Sequence, residues 1–571
     1  MVKVLPDARQ LLRCGGFPYS LALLLRLAFT LMPANTGYIH PDEHFQSVEV
    51  VVGDVLGFST LQTWEWDPDN PLRSPTLPLL LYGLPALLLR LLDLLVSSLL
   101  GASIFTPSLL QMMARLPLFV ISLATDLSVF QLSRHLQLPS KTALLLLGSS
   151  HLMWVYATRP LANNLELAFT SLLLLLTLIP RRERPGVDWS NILPIGAICA
   201  LGTFNRPTFI VFAGWPLLAW FLRGVSSLKQ LASATSKRLM PLCLATLLPC
   251  MAIVLLDSLY FADLTLTKLL TLNVFLADWK LTPLNFLIFN LTPGNAAQFG
   301  SDDRLTHLLV NLPILFGPLS LLFWLSLPRL VRKKETLRVL FLSFITPLIA
   351  FSLLDHQEPR FLLPLIPSLL LLLSPQSALS HFPFLLLWLL FNLVAGLFWG
   401  LLNQAGLLPL LALVQDLHLA APVIHLVLPW AWMAPRLPLM VRPPQVVQVH
   451  DWVQKEVSLS EVETTLKNLT CQSQAATLLG LPSHLLPAFT ELEHNLQLDE
   501  VGTVWPHLSL ESMVASSSTS QPLNPVTVAV AFINFLASPK EWGSPKKGLL
   551  SLSLFHVTNL GPCPQYSTIE Y

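Results

Sequence analysis

The chain has 571 residues, of which 53% are hydrophobic and only 12% are charged, and its formal net charge is +1. A mean hydropathy of +0.62 excludes an ordinary soluble protein, and the near-neutral charge excludes the basic field that nucleic-acid binding requires. The composition therefore indicates a polytopic membrane protein.

The first apolar run, residues 17–33, has the length of a signal-peptide core, but the residues after it, PANTGY, form a poor cleavage site. We therefore expect a retained first helix. Further apolar stretches such as 76–100 and 108–131 match the ~20 residues that a helix needs to cross the hydrocarbon core. About ten to twelve such helices fit along residues 1–402, which predicts an all-α membrane module.

The stretch GYIHPDEHFQSVEV, residues 37–50, is dense in charge and directly follows the first apolar run. One interpretation is a helix start, since Pro41 suits the first position, and Asp42 and Glu43 suit the positive end of the helix dipole. The other is catalytic, because a carboxylate at the membrane boundary can take a proton from an attacking hydroxyl. Aromatic and charged residues of the kind that hold sugar rings follow in the same loop and the next helix. They are Trp64, Glu65, Trp66, Asp67, Arg73 and Tyr82.

His40 and His44 are four residues apart and can share one helix face, as metal ligands often do. A third ligand at a suitable spacing is absent from the sequence around them. Structural or substrate-contacting roles are therefore favoured for both histidines, and no metal is expected.

Clusters of Lys and Arg in short loops orient the predicted helices, because basic residues stay on the cytoplasmic side. This rule places the loops 35–75 and 261–306 in the lumen, together with 159–166, 205–207 and 356–361. Arg134 conflicts with the rule: either one of the segments 76–100 and 108–131 lies in the interface, or Arg134 is luminal.

The stretch HQEPRF, residues 356–361, places His356, Glu358 and Arg360 at the luminal mouth of an apolar helix. An interfacial ion pair explains them, and so does phosphate binding by the Arg360 guanidinium. Charges near membrane spans are costly, so each is a functional candidate. Two similar polar sets are Arg159 with Asn163, Asn164 and Glu166, and Asn205 with Arg206. The structural alternatives are snorkelling at helix ends for the arginines and helix capping for the asparagines. Asp126, by contrast, is explained by a buried polar contact between helices.

Residues 403–571 become progressively more polar and contain a Ser-rich link, SSSTSQPLNP, and a strand-like run, VTVAVAFINF. They predict a small luminal α/β part. Asn468 begins an NLT sequon for glycosylation. Cys471 and Cys563 are candidates for a disulfide, which requires an oxidising lumen.

Several motifs, in this order, resemble those of the dolichyl-phosphate-mannose-dependent mannosyltransferases of the GT-C class, glycosyltransferase family 22. They are HPDEHFQSVEVVVGDVLG, SRHLQ, RPLANNLELA, LGTFNRPTF, TPLNFLIFN, DDRLTHLLVNLP, HQEPRFLLPLIP and FNLVAGLFWGLLNQAG. The resemblance covers about residues 17–410. It implies a GT-C fold in the endoplasmic reticulum membrane, a luminal active site, a dolichyl-phosphate mannose donor and no metal cofactor.

The resemblance also implies residue roles. Asp42, with Glu43 beside it, is expected to supply the catalytic carboxylate. Gln357 stands where relatives often carry a basic residue, so it is not expected to bind phosphate. The resemblance implies that His356, Glu358 and Arg360 belong to the donor-binding mouth of the active site. The polar residues near the predicted spans add His40, Arg73, Arg159, Asn164 and Arg206 as expected substrate- or donor-binding residues.

Within this family, FQSVEVVVGDVLG, TPLNFL and RLTHLLVNLP most resemble the branch that adds the fourth mannose of the glycosylphosphatidylinositol (GPI) precursor in α-1,2 linkage. The expected acceptor is thus a GPI glycolipid. Enzymes that add the third GPI mannose or an N-glycan precursor mannose are the enzymatic alternatives. A membrane transporter is the non-enzymatic alternative, although the charged motifs lie at one boundary rather than at the midplane.

Overall fold

The computed structural model describes residues 8–560 except 181–185, 262–278, 293, 296–301, 333–334, 418, 420, 453–457, 473, 487–488, 490–495 and 510–549. Its helices are α1 Ala8–Leu31, α2 Glu49–Leu56, α3 Thr76–Leu100, α4 Pro107–His135, α5 Ser140–Gly148, α6 Ala162–Leu178, α7 Trp189–Asn205, α8 Phe209–Leu222, α9 Leu228–Phe261, α10 Thr282–Leu291, α11 His307–Phe316, α12 Pro318–Leu330, α13 Glu335–Ser352, α14 Pro359–Leu373, α15 Phe382–Leu402, α16 Leu407–Asp416 and α17 Leu459–Thr470. Its strands are β1 Val423–Leu428, β2 Val446–Asp451, β3 Ala475–Pro482, β4 Leu496–Val504 and β5 Leu552–Asn559.

Helices of membrane-spanning character dominate the described residues. Five of them, α1, α3, α4, α9 and α15, are long and apolar enough to cross a bilayer, and seven shorter apolar helices accompany them. This confirms the predicted helical, multi-pass membrane fold. The two apolar segments between the luminal opening loop and Arg134, 76–100 and 108–131, are both helices of spanning length, α3 and α4.

The chain divides into two compact units. The helical unit comprises Met1–Leu31, Gln62–Pro85 and Met113–Ala395, and the C-terminal unit comprises Met32–Leu61, Ala86–Met112 and Gly396–Tyr571. The last segment starts close to the predicted boundary at residue 402. Two earlier segments, one of them carrying the HPDE motif, belong to the same unit, which hydropathy and charge did not predict.

Helices α6 to α9 of the helical unit pack around a shared apolar cluster that includes Leu173, Ile195, Phe209 and Ala245. Gly196 allows α7 and α9 to approach closely, because a Cβ there would lie 2.7 Å from the Ala245 carbonyl carbon. The chain leaves α7 at Asn205 and enters α8 at Phe209. The predicted loop at 205–207 therefore separates two short helices, and proline explains the break.

A five-stranded mixed sheet of order β2-β1-β3-β5-β4 forms the core of the C-terminal unit. β1 runs parallel to β2 and β3, while β5 is antiparallel to β3 and β4. Leu426 and Leu478 face α16, and Val427 and Leu479 face α17, so each side of the sheet buries alternate residues. The predicted α/β part is confirmed, whereas the Ser-rich link and the run VTVAVAFINF lie outside the described residues.

Asn468 and Cys471 lie at the end of α17. Asn468 is partly exposed in its last turn, and its glycosylation stays a prediction. Cys471 is disulfide-bonded and also accepts a hydrogen bond from Asn559 Nδ2 at 3.2 Å. Cys563 lies outside the described residues, so its predicted pairing with Cys471 stays a prediction.

Candidate active site

The backbone before the HPDE turn is held by the last residues of α15 and by Asn403, which follows that helix. The Gly37 amide donates to the Gly400 carbonyl at 2.7 Å, and the Tyr38 amide donates to the Asn403 carbonyl at 2.8 Å. Asn403 Nδ2 returns a 2.6 Å hydrogen bond to the Tyr38 carbonyl. A Cβ on Gly37 would lie 2.2 Å from the Trp399 carbonyl oxygen, so only glycine allows this approach.

Glu43 closes the turn on itself. Its Oε1 accepts the Ile39 amide at 2.6 Å, and its own amide donates to the His40 carbonyl at 3.0 Å. The side chain is almost completely buried, with 1% of Glu43 exposed. The Glu43 side chain thus closes the turn that precedes the helix, and Asp42 and Glu43 stand at a helix start, which is one of the two interpretations that the sequence allowed. The helix itself begins with a turn of π-helix, His44–Val48, before α2.

Asp42 points differently from its neighbour. Its side chain is 19% exposed, its Oδ2 accepts from Gln46 Nε2, and its Oδ1 lies 3.5 Å from His40 Nδ1. His40 Nδ1 also accepts the Asp42 amide at 3.1 Å. The Asp42 carboxylate is thus oriented by Gln46 and remains accessible, whereas that of Glu43 is enclosed.

Trp432 supplies an aromatic surface to the same turn. Its ring centroid lies 5.6 Å from that of Tyr38 and 6.2 Å from that of His40. The other side of Tyr38 meets His44, with centroids 5.3 Å apart, and the Tyr38 hydroxyl donates to the Met433 carbonyl. A partly exposed indole beside a carboxylate is suited to the apolar face and the hydroxyls of a sugar ring. His40 and His44 therefore have aromatic neighbours in the C-terminal unit.

Glu49, the third acid of the motif, is fully buried and joins α2 to the segment after β1. Its carboxylate accepts the amides of Arg436 and Leu437, the latter at 3.1 Å from Oε2, and that of Leu61 at 3.4 Å. Burial raises the pKa of Glu49 to about 7, although these amides act in the opposite direction. The three carboxylates of the stretch thus differ: Asp42 is accessible, Glu43 closes the turn, and Glu49 connects α2 to remote backbone of the same unit.

Replacing Glu49 by glutamine is expected to flatten the pH dependence of stability. The folded protein binds the Glu49 proton more tightly than the unfolded chain does, so the contribution of this group to stability falls as the pH rises from 4.5 to about 7. The loss is about 3 kcal/mol at most. Thermal unfolding of the purified chain between about pH 5 and about pH 8 measures it.

Glu463→Gln is the matched control, because Glu463 is a partly exposed acid paired with Lys467 on α17. This control should keep the wild-type slope of melting temperature against pH. An unchanged slope for Glu49→Gln as well would contradict the assignment.

In the helical unit, Glu358 joins the two cations of the HQEPRF stretch. Its carboxylate accepts from Arg360 Nε and, at 2.9 Å, from Arg360 Nη2, and His356 Nε2 lies 2.7 Å from Oε1. The hydrogen bond to Glu358 raises the pKa of His356, which favours the protonated imidazole. Asp302 Oδ2 lies 4.0 Å from His356 Nδ1. The stretch forms a compact His–Glu–Arg array.

Gln357, between these residues, faces the protein interior. Its Oε1 accepts the His307 amide at 2.9 Å, and its Nε2 donates to the Ser352 and Leu354 carbonyls, each at 3.1 Å. Gln357 is only 4% exposed. Its amide thus holds the turns around it, and its exclusion as a phosphate ligand stays a prediction.

Arg206 and Arg360 converge on one aromatic ring. Their guanidinium carbons lie 5.1 Å and 5.5 Å from the centroid of Phe361. Arg206 Nε also lies 4.0 Å from Glu166 Oε2, and Thr208 donates to Glu166 Oε1 at 2.9 Å. The structure therefore brings three predicted polar sets together: the HQEPRF array, the Asn205-Arg206 turn and the start of α6.

The remaining predicted residues have mainly structural contacts. Asn164 Nδ2 donates to the carbonyls of Tyr156 at 2.5 Å and Arg159 at 2.7 Å, and Arg159 is completely buried. Arg73 pairs with Glu65 at 2.6 Å and lies 5.8 Å from the centroid of Phe286. Their predicted roles in substrate binding stay predictions.

Sequence reasoning missed Trp432 and Phe361 as parts of these sites. Phe361 is the last residue of HQEPRF, a stretch selected for its charged residues. The neighbouring arginines, Arg206 and Arg360, were the feature that could have indicated a cation-binding aromatic ring. Trp432 lies in an apolar, proline-broken stretch without any local sign of function. Within the described ranges, no three His, Cys, Asp or Glu side chains are grouped so as to hold a metal ion.

The fold and these sites define a polytopic membrane glycosyltransferase. Residues 18–432 match the Alg9-like mannosyltransferase family, and the chain belongs to that family. The family predicted from the ordered motifs is therefore confirmed.

Curated relatives refine the comparison. The chain is 34% identical to GPI alpha-1,2-mannosyltransferase 4 of Homo sapiens over 87% of this chain and 89% of that protein. It is 29% identical to GPI mannosyltransferase 4 of Drosophila melanogaster over 71% of this chain and 68% of that protein. A crystal structure of ArnT from Cupriavidus metallidurans bound to undecaprenyl phosphate aligns with a TM-score of 0.49 and 12% identity, covering 85% of this chain and 96% of that one.

Proposed function

We propose that this chain transfers mannose from dolichyl-phosphate mannose to the third mannose of a GPI precursor, forming an α-1,2 linkage and adding the fourth mannose. The observation that carries the proposal is the Asp42 turn, where an accessible carboxylate oriented by Gln46 and the Trp432 indole both lie near His40, in a member of a mannosyltransferase family. The names of the human and fly relatives support the choice of acceptor.

Asp42 is the general base in this proposal. As the 2-hydroxyl oxygen of the acceptor mannose attacks the anomeric carbon of the donor, its proton passes to the Asp42 carboxylate. Gln46 holds that carboxylate in one orientation, His40 accepts the Asp42 backbone amide, and Trp432 offers a surface on which a sugar ring can stack. Attack opposite the leaving group inverts the β-linked donor to an α-linked product.

Arg360 stabilises the leaving group. The bond between the anomeric carbon and the phosphate oxygen breaks, and its electron pair stays on dolichyl phosphate. A guanidinium held by Glu358 is already oriented before that charge develops, and Arg206 adds a second cation on the same aromatic ring. Fixed positive charge of this kind stabilises the departing lipid phosphate. The proposed mechanism includes no metal.

We place the reaction on the luminal side of the endoplasmic reticulum membrane. The loop charges predict that side for both motifs. The Cys471 disulfide supports an oxidising compartment for the C-terminal unit.

The test is mannose transfer in microsomes from cells that lack the endogenous fourth-mannose enzyme. Dolichyl-phosphate mannose and three-mannose GPI intermediates are supplied, and the products are separated by size. A four-mannose product that is sensitive to an α-1,2-mannosidase is the expected result. Transfer only to two-mannose GPI or to N-glycan precursors would assign one of the related activities instead, and mannose transport without transfer would favour a transporter.

Replacing Arg360 by glutamine is expected to lower the turnover rate by about 10²–10³-fold, because a charged donor to the developing phosphate is lost. Arg360→Lys keeps the positive charge but lacks the planar guanidinium. Its turnover rate should therefore lie between those of wild type and Arg360→Gln. The measurement is turnover and Michaelis constant with varied donor.

Arg304→Gln is the control for Arg360, because Arg304 is more than half exposed and forms a surface ion pair with Asp355 at 2.8 Å. It should retain the wild-type rate. Equal rates for Arg360→Gln and Arg304→Gln would remove Arg360 from the reaction.

A further inference from the structure

Residues 302–311 lie against the HQEPRF turn within the helical unit. They belong to the motif DDRLTHLLVNLP, to which the proposed mechanism assigns no role. The hydrogen bonds between the two stretches join residues that are 46 to 55 positions apart in the chain. The turn that carries Arg360 is therefore shaped by a remote segment as well as by its own sequence.

Two side chains of this segment hold both backbone groups of Gln357. Asp302 Oδ2 accepts the Gln357 amide at 2.7 Å, and Asn311 Nδ2 donates to the Gln357 carbonyl at 3.2 Å. Gln357 stands between His356 and Glu358, so its backbone sets the directions in which those two side chains leave the chain. The geometry of the His–Glu–Arg array therefore depends on residues outside it.

Asp302 anchors the turn at a second point. Its own amide donates to the Asp355 carbonyl at 2.7 Å. Because Asp355 precedes His356 and Gln357 follows it, Asp302 fixes the backbone on both sides of the imidazole. The bond to the Gln357 amide has a carboxylate as its acceptor, and such bonds are stronger than those between neutral groups.

The charge of Asp302 also acts on His356. Asp302 Oδ2 lies 4.0 Å from His356 Nδ1, while His356 Nε2 lies 2.7 Å from Glu358 Oε1. A carboxylate near each ring nitrogen favours the protonated imidazole, in which both nitrogens carry a proton. The hydrogen bond to Glu358 is the main cause of the raised pKa of His356, and Asp302 raises this pKa further, while burial and the Arg360 charge lower it.

His307 completes the support behind the turn. Its amide donates to Gln357 Oε1 at 2.9 Å, and its Nδ1 lies 2.9 Å from Asn311 Nδ2. Its ring meets that of Phe361 edge to face, with centroids 6.4 Å apart. His307 is completely buried, so it supports the array from the protein interior.

The exposure of Asp302 limits the size of its electrostatic effect. The side chain is 37% exposed, so solvent screens its charge in part. The two hydrogen bonds to the turn do not depend on that charge alone. We therefore expect the hydrogen bonds of Asp302 to matter more for the array than its charge.

We propose that Asp302 is a positioning residue of the donor-phosphate site, which holds the HQEPRF turn and, by way of His356, keeps Glu358 oriented toward Arg360. This inference rests on the proposed function, in which Arg360 meets the lipid phosphate. Asp302 acts through the backbone and the imidazole and contacts no reacting atom. Its loss should therefore weaken the binding of a lipid phosphate.

The test measures binding of dolichyl phosphate, the lipid product of the proposed reaction, to the full chain purified in detergent. Dissociation constants are compared between about pH 6 and about pH 8, the range in which histidine titrates. The variants are Asp302→Asn and Asp302→Ala. Asparagine keeps an oxygen that can accept the Gln357 amide but lacks the charge, whereas alanine removes both. Melting temperatures of all variants are measured alongside.

Asp303→Asn is the matched control. Asp303 is the neighbouring acid, and its Oδ1 accepts the Leu305 amide at 2.8 Å within its own turn. Asparagine keeps an acceptor there, so this variant changes the charge of the segment by the same amount as Asp302→Asn. It should bind dolichyl phosphate with the wild-type affinity at every pH.

We expect Asp302→Ala to weaken binding about ten-fold at every pH, the effect of losing a hydrogen bond with a charged acceptor. Asp302→Asn should bind nearly as well as wild type at the low end of the range. As the pH rises, it should lose affinity at a lower pH than wild type, because removing the Asp302 charge lowers the pKa of His356. Deprotonation of His356 takes a positive charge from an array that binds an anion.

Other results would overturn the inference. Wild-type affinity and pH dependence in both Asp302 variants would exclude a role for Asp302 at this site, even if their melting temperatures fell. Equal changes in Asp303→Asn would show that the general charge of the segment matters. If the wild-type chain did not bind dolichyl phosphate, the proposed donor would be wrong and the inference would fall with it. Binding by wild type that only the Asp302 variants weaken would support both.

Discussion

Replacing Asp42 by asparagine is expected to lower the rate of mannose transfer by about 10²–10⁴-fold while the protein still folds. Asparagine keeps the shape and one acceptor oxygen, so the contact with Gln46 can persist. It cannot take a proton from the acceptor hydroxyl. The measurement is the rate of formation of the four-mannose product at equal expression of wild type and variant.

Glu43→Gln is the control that separates the two acids. Glutamine keeps an oxygen for the Ile39 amide, so the turn is retained, and the Glu43 position is too enclosed to meet a substrate. We expect this variant to work within a few-fold of wild type. A rate loss for Glu43→Gln as deep as that for Asp42→Asn, with both proteins folded, would transfer the role of base to Glu43 or exclude both.

Replacing Asp126 by alanine is expected to destabilise the protein by about 3–5 kcal/mol, because it leaves the Arg26 charge buried without its partner. Both side chains are completely buried between α1 and α4. Asp126 accepts from Arg26 Nη1 at 2.6 Å and Nη2 at 3.0 Å, and Ser122 accepts at 3.1 Å. The melting temperature of the purified protein in detergent measures the loss.

The double variant Arg26→Met, Asp126→Leu tests the cause. It removes both charges and fills their volume with apolar atoms, so most of the lost stability should return. If the double variant were less stable than Asp126→Ala, packing at the site, rather than the unpaired charge, would account for the loss.

Local chemistry made part of this molecule predictable. Proline and asparagine around Arg206 predicted the break between α7 and α8, and hydropathy predicted the long helices. The acids at the start of the HPDE turn predicted a helix start. In each case the relevant interaction joins residues that are close in sequence, so the pattern alone carries the information.

Contacts between remote residues were not predictable in the same way. Glu49 binds backbone amides 387 and 388 residues further along the chain. Nothing in VEVVVGD shows that this acid is buried against them, because its partners are main-chain groups without residue-type preference. The strand order β2-β1-β3-β5-β4 likewise depends on pairing across long loops. Trp432 approaches His40 only as a result of these pairings.

The contacts that hold the backbone before the HPDE turn also determine when during synthesis this turn can take its final shape. The turn leaves the ribosome early, yet the groups that hold it, Gly400, Asn403 and Met433, are translated more than 350 residues later. Synthesis of α1 therefore precedes the shaping of the Asp42 turn by the translation of more than 350 residues. A nascent chain that stalls before residue 400 therefore carries Asp42 without the contacts that give its turn the final geometry.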